Sequence, residues 1–452
     1  MALATEKGER YLADYEALRD KSSRDGTAWV QPIRDQAWAR FSALGFPTAR
    51  RGNERWKYTN LRPLAQATFL YPPDGAAGLP GADEVKRRAP WDDSWTTLVF
   101  VDGHYSEQLS TRSTEAGGIV AGNLATAITD HRDLVEGHLA KHARFDDEAF
   151  TALNTAFLDE GAFVHIPDGV EPAAPVQLLF ITTDGEQARV AHPRVLVIAG
   201  KSSKATLIES YVSLGDGPGF TNTVVEAVLS EGASVRHYRI LMENENTFHI
   251  GNTRVYQSND SKFTSTSFAT GPSIGRNDVH VLLDAPGAEC TLHGLYMTTN
   301  RQHMDNHINV THAKPHGTSR QFYKGILSGE SRATFSGLVL VERDAQKSFA
   351  DQKDLNLVLS EGAEVDTKPS LEIYADDIQA FHGATAGHVN QDTLFYLQSR
   401  GIDRETALAM LIGGFASEIV DEIEVDSLRT YVEDVTSLLI PGFQPAGKFG
   451  TL

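Results

Sequence analysis

A histidine-rich stretch is the first part of this sequence in which side chains could do chemistry. Residues 302–316 read QHMDNHINVTHAKPH, and Cys290 and His293 lie just upstream. The histidines of the stretch are His303, His307, His312 and His316. Imidazole nitrogens and cysteine thiolates are ligands that zinc and iron accept, so these residues could form a metal site. The alternative is a histidine-rich surface that holds no ion.

The spacing of the histidines tests the metal hypothesis. On a helix, His303 and His307 would lie on one face and could bind one ion. The run HINVTH is rich in β-branched residues and follows the strand-like TLHGLYM, which favours a strand. On a strand the two residues are about 13 Å apart. That is too far for ligands that each lie about 2 Å from one ion.

Strand alternation assigns the other side chains of this region to faces. His312 would point to the same side as Ile308 and Val310, while His307 would point to the opposite side and lie at the surface. By the same rule Cys290 shares a face with the apolar residues that follow it, so we expect it to be a small buried residue. A ligand shared between adjacent coils, whose strands lie about 4.8 Å apart, stays open as an alternative.

Acidic residues suggest a second kind of chemistry, general acid and base catalysis. Asp376 and Asp377 are adjacent, and neighbours on a strand point to opposite faces and cannot act on one bond. We expect them to be solvated or to form a turn. A further group is expected to form a solvated face: Asp351, Asp354, Glu361, Glu364 and Asp366. Motifs of the types GxxxxGK[ST], for nucleotide hydrolysis, and HExxH, for zinc-dependent proteolysis, are absent from the sequence.

His382 has unusual neighbours, because it opens the small-residue run HGATAG. Small residues let another backbone approach closely, which suits an interface or a ligand site. The other interpretation is an exposed histidine at the end of a strand. The residues by themselves leave both open.

The segments that must position these residues change character twice along the chain. Helical spacing of apolar residues over 5–45 and again from Thr393 predicts helical regions at both ends. Between 163 and 386, short β-branched runs recur between Gly, Asp, Asn and Ser residues, and LSEGA occurs twice, at 229–233 and 359–363. Repeated turn-and-strand units without intervening helices predict a parallel β-solenoid or a stacked sandwich.

Local signals mark several boundaries. TTLVFVDG at 96–103 predicts a strand. The helical spacing of apolar residues at 147–161 predicts a helix that ends in a cap at Gly161. Asp403, with Thr406 three residues later, predicts the start of a second C-terminal helix after a stop at Gly401. The Pro/Gly-rich segment 71–83 predicts a loop or linker, and the tail from Pro441 is expected to be mobile.

Composition narrows the functional classes. The chain has 452 residues and a formal charge of -19, which disfavours nucleic acid and anionic membranes as partners. One cysteine can form neither an intramolecular disulfide nor a CxxC knuckle. The N-terminal residues contain no apolar segment typical of a signal peptide, and no run of eighteen apolar residues follows, so we expect a cytoplasmic protein.

Five longer blocks carry a resemblance to a known family. In chain order they read NERWKYTNLRPL, LVFVDGHYS, DNHINVTHAKPHGTSRQFYKGILSGESRATFSGLVLV, AEVDTKPSLEIYADDIQAFHGATAG and LFYLQSRGIDRETA. Their sequences and order resemble the SufB/SufD family, scaffold proteins of the SUF iron–sulfur cluster assembly machinery, over nearly the whole chain. Together with the patterns above, the resemblance implies a mostly β fold in four parts. These are an N-terminal helical domain (1–95), a strand and helix connecting segment (96–162), a right-handed parallel β-helix core (163–388), and a C-terminal helical domain with a tail (389–452).

The resemblance also implies partners. SufD-like members pair with SufB through the β-helix, and both bind the ATPase SufC, mostly through C-terminal helical segments. Sulfur arrives through SufB, and the nascent cluster is thought to form at the SufB–SufD junction. A SufD-like chain that is isolated from SufB could form a homodimer through the same surface.

The chemistry of the residues favours the SufD branch of the family. A SufB-like chain needs cysteines for persulfide and cluster chemistry, yet Glu361 stands where SufB-like sequences carry one. The family's important histidine, before Gly-Ala-Thr, matches His382, while Ala380 replaces a cysteine that some members carry. A neutral imidazole suits iron(II), and a partner's cysteine could complete a mixed site.

Three functions follow for comparison. The first is a non-catalytic scaffold without catalytic residues or a stable cofactor, which shares a transient iron or iron–sulfur cluster with SufB through His382. The second is a purely structural subunit that donates no ligand and binds SufC near Leu394 to Met410. The third is a β-helix hydrolase or lyase acting on glycans, which rests only on the repeats and on Asp376 and Asp377.

Overall fold

The computed structural model describes residues 2–21, 27–49, 53–72, 78–112, 117–185 and 187–440. The predicted mobile tail from Pro441 and residues 73–77 of the predicted linker lie outside these ranges. Helices lie before, within and after a long series of strands. The helices are α1 (Ala2–Lys21), α2 (Gln31–Leu44), α3 (Arg62–Gln66), α4 (Ala82–Arg88), α5 (Leu124–Asp130), α6 (Arg132–His138), α7 (Ala149–Ala156), α8 (Gln391–Ser399), α9 (Arg404–Val420) and α10 (Asp426–Leu439).

The strands run through the middle of the chain in nearly unbroken succession. They are β1 (Thr96–Val101), β2 (His104–Thr111), β3 (Val120–Asn123), β4 (Gly161–Ile166), β5 (Val176–Thr182), β6 (Arg189–Ala191), β7 (Arg194–Ala199), β8 (Lys204–Ser213), β9 (Gly219–Leu229), β10 (Ser234–Met242), β11 (Thr247–Gln257), β12 (Lys262–Thr270), β13 (Ile274–Leu283), β14 (Glu289–Thr298), β15 (His303–His312), β16 (Thr318–Leu327), β17 (Arg332–Val341), β18 (Phe349–Val358), β19 (Glu364–Ile373) and β20 (Gln379–Gly387).

The strands form two facing sheets, and from β7 onward successive strands alternate between them. One sheet has the order β2-β1-β5-β8-β10-β12-β14-β16-β18-β20, and the other has the order β19-β17-β15-β13-β11-β9-β7-β4-β3, with β6 against β9. Apart from the antiparallel pairs β1–β2 and β3–β4, neighbours run parallel. Alternation between two parallel sheets is the topology of a coil, so the predicted parallel β-helix is confirmed, with about eight turns.

The interior of the coil is filled by every second side chain. An apolar core in the first coils includes Phe100, Val164, Leu178 and Val225. Polar side chains are also buried in the lumen, Glu209 and Arg239 in the earlier coils and Gln321, Gln352 and Asp354 in the last coils. The lumen is thus mainly apolar, with polar groups at several levels along its axis.

Two glycines in the lumen are required by tyrosines on neighbouring strands. A Cβ at Gly294 would lie 2.3 Å from the ring of Tyr323, and one at Gly325 would lie 2.3 Å from the ring of Tyr296. Both tyrosines are almost completely buried. Small residues at these positions let each aromatic ring lie over the neighbouring strand of the same sheet.

Helices cover the outer faces of the two sheets. Apolar residues of α1, α2 and α7 pack on Phe220, Ile250 and Ile274 of one sheet. Apolar residues of α9 and α10 pack on the outer face of the other, which includes Ile240 and Leu295. The predicted helical regions at the two ends of the chain are therefore confirmed. Among the described helices, none is both long and apolar enough to span a membrane.

The first family-like block is tied to the β-helix by charged and aromatic contacts. The Arg55 side chain forms ion pairs with Asp278 and Glu148. The Arg276 guanidinium lies 3.9 Å from the ring centre of Trp56, a cation–π contact. These contacts explain why a segment dense in polar and aromatic residues packs here instead of forming a free linker.

A buried carboxylate, Glu226, performs a similar role for the loop after α6. It accepts hydrogen bonds from the backbone N–H groups of Ala140, His142 and Ala143, each at 2.9 Å. Its other partner is the Arg194 guanidinium, at 2.5 Å, and both side chains are fully buried. Backbone donors and a guanidinium favour the charged carboxylate and lower the pKa of Glu226, although burial opposes this.

The predicted helix boundaries are correct at Asp403 and wrong at Gly161. Asp403 caps α9 by accepting a hydrogen bond of 2.9 Å from the Thr406 N–H, and Gly401 has a φ of 87° just after α8. By contrast, α7 ends at Ala156 and Gly161 begins β4. Gly161 is required there because a Cβ would lie 1.9 Å from the carbonyl oxygen of Arg194. The sequence alone showed a glycine but not the close contact that requires it.

Candidate functional site

The coil ends at β19 and β20, and these strands present open edges. Within the described part of the chain, β19 pairs only with β17, and β20 only with β18. The outer edge of each strand therefore carries backbone N–H and C=O groups without a strand partner. Such edges can pair with the strands of another chain.

His382 lies on β20 and points toward the lumen side of the coil. The register places it opposite Gln352, whose neighbour in the preceding coil is Gln321. Both glutamines are buried and face the interior, and the Gln352 amide donates a hydrogen bond of 2.8 Å to the Gln321 side chain. His382 continues this column but is exposed, because no further coil covers it.

The surroundings of His382 leave room for another chain. Positions Gly383 and Gly387 have open space where a Cβ would lie, with no described atom within 4 Å. Large apolar side chains are exposed at the same end of the coil: Ile373 (40%), Tyr374 (63%) and Phe381 (57%). Exposed apolar residues beside unpaired strand edges are typical of a protein interface. The exposed imidazole of His382 agrees with both interpretations that the sequence left open.

A polar cluster lies in the lumen just inside this end. Asp354 is completely buried and is opposite Ala384 in the register of β18 and β20. Asn356 Nδ2 donates to Asp354 Oδ2 at 2.7 Å, and the Tyr296 hydroxyl lies 3.2 Å from Asp354 Oδ1. Burial raises the pKa of Asp354 to about 6.

The expectation that Asp354 belongs to a solvated face is wrong, since its side chain lies in the core. Asp351, in the same strand, is only partly exposed, and Glu361, Glu364 and Asp366 are exposed, as expected. Sequence reasoning missed Asp354, but one signal was available. Gln352, Asp354 and Asn356 alternate with Lys353 and Leu355, so all three polar residues share one face of the strand.

The histidine-rich stretch forms strand β15, as predicted, and His303 and His307 are not arranged to share an ion. His303 lies 3.2 Å from Thr334 Oγ1. His312 is fully buried on the side of Ile308 and Val310, and its Nε2 lies 2.8 Å from Ser319 Oγ. Within the described ranges, no three His, Cys, Asp or Glu side chains are grouped so that they could hold one metal ion.

The prediction that His307 is a surface residue is wrong. The His307 side chain does point away from the lumen, as predicted, but only 7% of the residue is exposed. A groove of about 660 Å³ lies over this face, between the strands and the segments that contain Arg55 and Lys141. Burial and the nearby Arg276 guanidinium lower the pKa of His307 to about 4. The covering segments are distant in sequence, so strand alternation could not reveal them.

Two other candidate groups have structural roles. Cys290 is buried in the apolar core, as predicted, and burial raises the pKa of its thiol, which disfavours a thiolate ligand. Asp376 and Asp377 lie in a bend between β19 and β20, not on a strand. Asp377 accepts hydrogen bonds of 2.6 Å from both the backbone N–H and the ammonium group of Lys347. Turn formation, the preferred interpretation, is thus the role of Asp377.

A second exposed apolar surface lies on the C-terminal helices. It comprises Phe395 (72%) and Tyr396 (55%) of α8 and Met410 (52%) of α9. The α9 helix is held to the β-helix by Lys324, whose ammonium group donates to the Phe415 carbonyl at 2.9 Å and lies 2.8 Å from Glu418. Of the three exposed residues, Met410 therefore stands on a helix that is fixed to the scaffold, and Phe395 and Tyr396 stand on the helix before it.

Comparison with known families shows the family to which this chain belongs. A family model described as "SUF system FeS cluster assembly, SufBD core domain" matches residues 180–415, and one described as "SufBD protein N-terminal region" matches residues 5–178. The chain belongs to the SufBD family. SufBD-family proteins take part in iron–sulfur cluster assembly, so the resemblance found in the sequence is confirmed.

Individual relatives place the chain near SufD. It is 32% identical to the iron–sulfur cluster assembly protein SufD of Escherichia coli over 91% of this chain and 93% of the relative. It is 30% identical to the SufBD family protein slr0076 of Synechocystis, over 92% and 93%. The SufD of Bacillus subtilis is 26% identical over 95% and 98%. This SufBD-family chain is therefore of the SufD type.

Proposed function

We propose that this SufD-type chain is a non-catalytic scaffold subunit of a SUF assembly complex. In this proposal its open coil end pairs with a SufB-type chain, and His382 donates a ligand to a transient iron ion or nascent iron–sulfur cluster at the junction. The observation that carries the proposal is the position of His382, exposed on the lumen side of a terminal strand whose edge is unpaired.

The donor set of this chain explains why a partner is needed. One imidazole is a suitable ligand for iron(II), but a single side chain does not define a stable site. Ala380 lies two residues before His382 in place of a thiol, and Cys290 is buried far along the lumen face. The remaining ligands would have to come from the partner, so the iron or cluster is the cargo of the complex and not a resident cofactor of this chain.

A SufC-type ATPase is the second proposed partner, at the patch on α8 and α9. Phe395, Tyr396 and Met410 are exposed there, and apolar side chains of this size are typical of interface cores. Lys324 fixes α9 to strand β16. A movement of the ATPase could therefore be transmitted directly to the coil.

A purely structural subunit is the alternative function, and it is favoured because the described residues contain no group of three His, Cys, Asp or Glu side chains that could hold a metal ion. The hypothesis of a glycan-active enzyme has lost its main support, because Asp377 is engaged in a turn with Lys347. The expected cytoplasmic location and a homodimer of the isolated chain stay predictions.

The deciding experiment compares His382→Ala with the wild type in the complex reconstituted anaerobically with SufB- and SufC-type subunits. Complex size is measured by light scattering, and iron and acid-labile sulfide are measured after assembly. The ligand proposal predicts an intact complex with little iron and sulfide. An intact complex with wild-type iron and sulfide would support the purely structural subunit instead.

A further inference from the structure

One inward-facing column of side chains ends at His382. It contains Gln321 of β16, Gln352 of β18 and His382 of β20, which lie directly opposite one another in the register of these parallel strands. Leu292 of β14 stands one strand further in. Because β20 is the last strand of this sheet among the described residues, the His382 side chain is the one that follows Gln352 at the open end.

The two glutamine amides of this column have the same direction along the coil. Gln352 Nε2 donates a hydrogen bond of 2.8 Å to Gln321 Oε1, so the Gln352 nitrogen points back toward β16 and the Gln321 oxygen points forward. The Gln321 nitrogen has no partner among the described residues, which agrees with a direction toward apolar Leu292. An amide carries its nitrogen and its oxygen on opposite sides, so the Gln352 oxygen points forward to the open end.

This forward oxygen of Gln352 is a buried acceptor without a donor. Gln352 is 0% exposed, and its Oε1 has no hydrogen-bond partner within the described part of the chain. The opposite sheet holds the amide closely, since a Cβ at Gly337 would lie 2.2 Å from Gln352 Nε2. A buried acceptor that lacks a donor is unfavourable, so this position is suited to a donor on the next strand.

His382 is the side chain whose place in the column allows it to supply that donor. Residues opposite each other on neighbouring strands lie about 4.8 Å apart, and side chains bridge this distance. His382 is exposed, and its imidazole bonds to none of the described groups. A neutral imidazole has one nitrogen that donates and one that is free to bind a metal. A chain that covers β20 removes water from the ring and leaves the Gln352 oxygen as the neighbouring acceptor.

We propose that Gln352 is the positioning residue for His382. When a SufB-type chain covers the coil end, one imidazole N–H of His382 donates to Gln352 Oε1, and the other ring nitrogen faces the iron or cluster at the junction. This step rests on the proposed function, in which His382 is a ligand. Histidines that bind metals usually donate their second nitrogen in this way, which fixes the tautomer and the orientation of the ring.

The first measurement follows the tautomer of His382 in the iron-free complex with a SufB-type chain. The chain is labelled with nitrogen-15 histidine, and the His382 signals are those that His382→Ala lacks. At about pH 8.5, where an ordinary imidazole is neutral, the wild-type complex is expected to show one fixed tautomer. Gln352→Met keeps the length of the side chain but has no amide oxygen, so His382 should show both tautomers in that complex.

The second measurement adds iron and sulfide to the reconstituted complex. Gln352→Met should keep the size of the complex and lower its iron and sulfide content by about tenfold or more, because loss of an outer partner lowers metal affinity by about 10- to 100-fold. Gln352→Glu retains an oxygen acceptor and should restore the content.

Gln321→Met is the matched control for both measurements. It makes the same change one strand further in, where the side chain does not adjoin His382. The contact with Gly337 still holds the Gln352 amide in this variant, so the single tautomer and the iron content should stay close to those of the wild type. Equal effects of Gln321→Met and Gln352→Met would mean a general disturbance of the lumen and would overturn the positioning role.

The outcomes separate this inference from the proposed function. If Gln352→Met keeps the single tautomer and the wild-type iron content while His382→Ala loses iron, the positioning role is wrong and the ligand role of His382 stands. If the wild-type complex itself shows both tautomers, the positioning role is wrong whether or not the variants fold. If His382→Ala keeps the wild-type iron and sulfide, the ligand role is wrong and the positioning role is wrong with it.

Discussion

Gln352 and His382 are directly opposed in the register of β18 and β20, and what lies beyond each position differs. Gln352 is fully buried between two strands, whereas His382 is exposed because the sheet ends there. The same inward-facing position is thus part of the core in one coil and part of the surface in the next. A histidine at the second position gains a ligand role only if another chain continues the coil.

The first prediction concerns this histidine. His382→Ala should lower the iron and sulfide content of the reconstituted complex by at least about tenfold, since loss of even an outer partner of a metal ligand lowers affinity by about 10- to 100-fold. The complex itself should keep its size. The matched control is His388→Ala. His388 lies just after β20 and is also exposed, but its imidazole forms a hydrogen bond with the Val358 carbonyl. Equal losses in the two variants would contradict a specific role of His382.

The second prediction concerns the patch on α8 and α9. Phe395→Ser and Met410→Ser should each weaken binding of a SufC-type ATPase by about tenfold or more, because large apolar residues at interface centres contribute more than about 1 kcal/mol each. Isothermal titration calorimetry measures the affinity. Tyr374→Ser, at the exposed coil end, is the control and should bind the ATPase normally. If Tyr374→Ser weakened binding as much as Phe395→Ser, the ATPase site would not be on the helices.

The third prediction concerns the link between α9 and the coil. Lys324→Met keeps the side-chain volume but removes the bonds to the Phe415 carbonyl and to Glu418, bonds that for charged donors are worth about 1.5–3 kcal/mol. Backbone amides of α9 should therefore exchange hydrogen faster in the variant than in the wild type, and the increase should be smaller for the amides of β16. Lys353→Met, at an exposed ion pair on β18, should leave α9 unchanged. Unchanged exchange in α9 of the Lys324 variant would show that apolar packing alone holds the helix.

The fourth prediction concerns Glu226. Glu226→Gln removes the charge that pairs with fully buried Arg194 and cannot accept all three backbone bonds as strongly, so the free energy of unfolding should fall by about 3–5 kcal/mol. Urea unfolding followed by circular dichroism measures the change. Glu231→Gln, in an exposed pair with Lys201, should change it by less than about 1 kcal/mol. A change of less than about 1 kcal/mol for Glu226→Gln would contradict the conclusion that the Glu226 carboxylate stabilises the 140–143 loop.

The fifth prediction concerns acid. Burial lowers the pKa of His280, His307 and His312 to about 4, below the ordinary value of 6.5. Between these two values the unfolded chain binds more protons than the folded chain, so the stability falls as the pH decreases from 6.5 toward 4. Each histidine contributes on the order of 3 kcal/mol to this loss.

Urea midpoints measured from pH 7 to pH 4 check the fifth prediction. His312→Asn should show a shallower decrease than the wild type, because one of the three imidazoles whose pKa is lowered to about 4 is gone. His316→Asn, an exposed histidine four residues later, should retain the wild-type decrease. A wild-type stability that is constant over this range would contradict the neutral, buried state of these histidines.

The coil could be predicted from the sequence because each strand carries its own signal. β-Branched runs, turn residues and repeated LSEGA segments are local properties, and a solenoid is built from local units that stack on their neighbours. Asp403 was identified for the same reason, since a helix cap depends on residues only three positions apart. The candidate at His382 came from the family-like blocks and from its small neighbours.

The errors at His307 and Asp354 have a common physical cause. Strand alternation tells which side a residue faces, but it does not tell what covers that side. His307 faces outward and is covered by segments near Arg55 and Lys141, more than 160 residues away in the chain. Asp354 faces inward, where a polar residue is unexpected unless the lumen itself becomes polar. Both features depend on packing between distant parts of the chain.

The two lumen tyrosines have a consequence for which residues the coil can accept. Because the rings of Tyr296 and Tyr323 occupy the space above Gly325 and Gly294, any side chain at either glycine position would collide with a buried ring, and each glycine is fixed together with the tyrosine beside it.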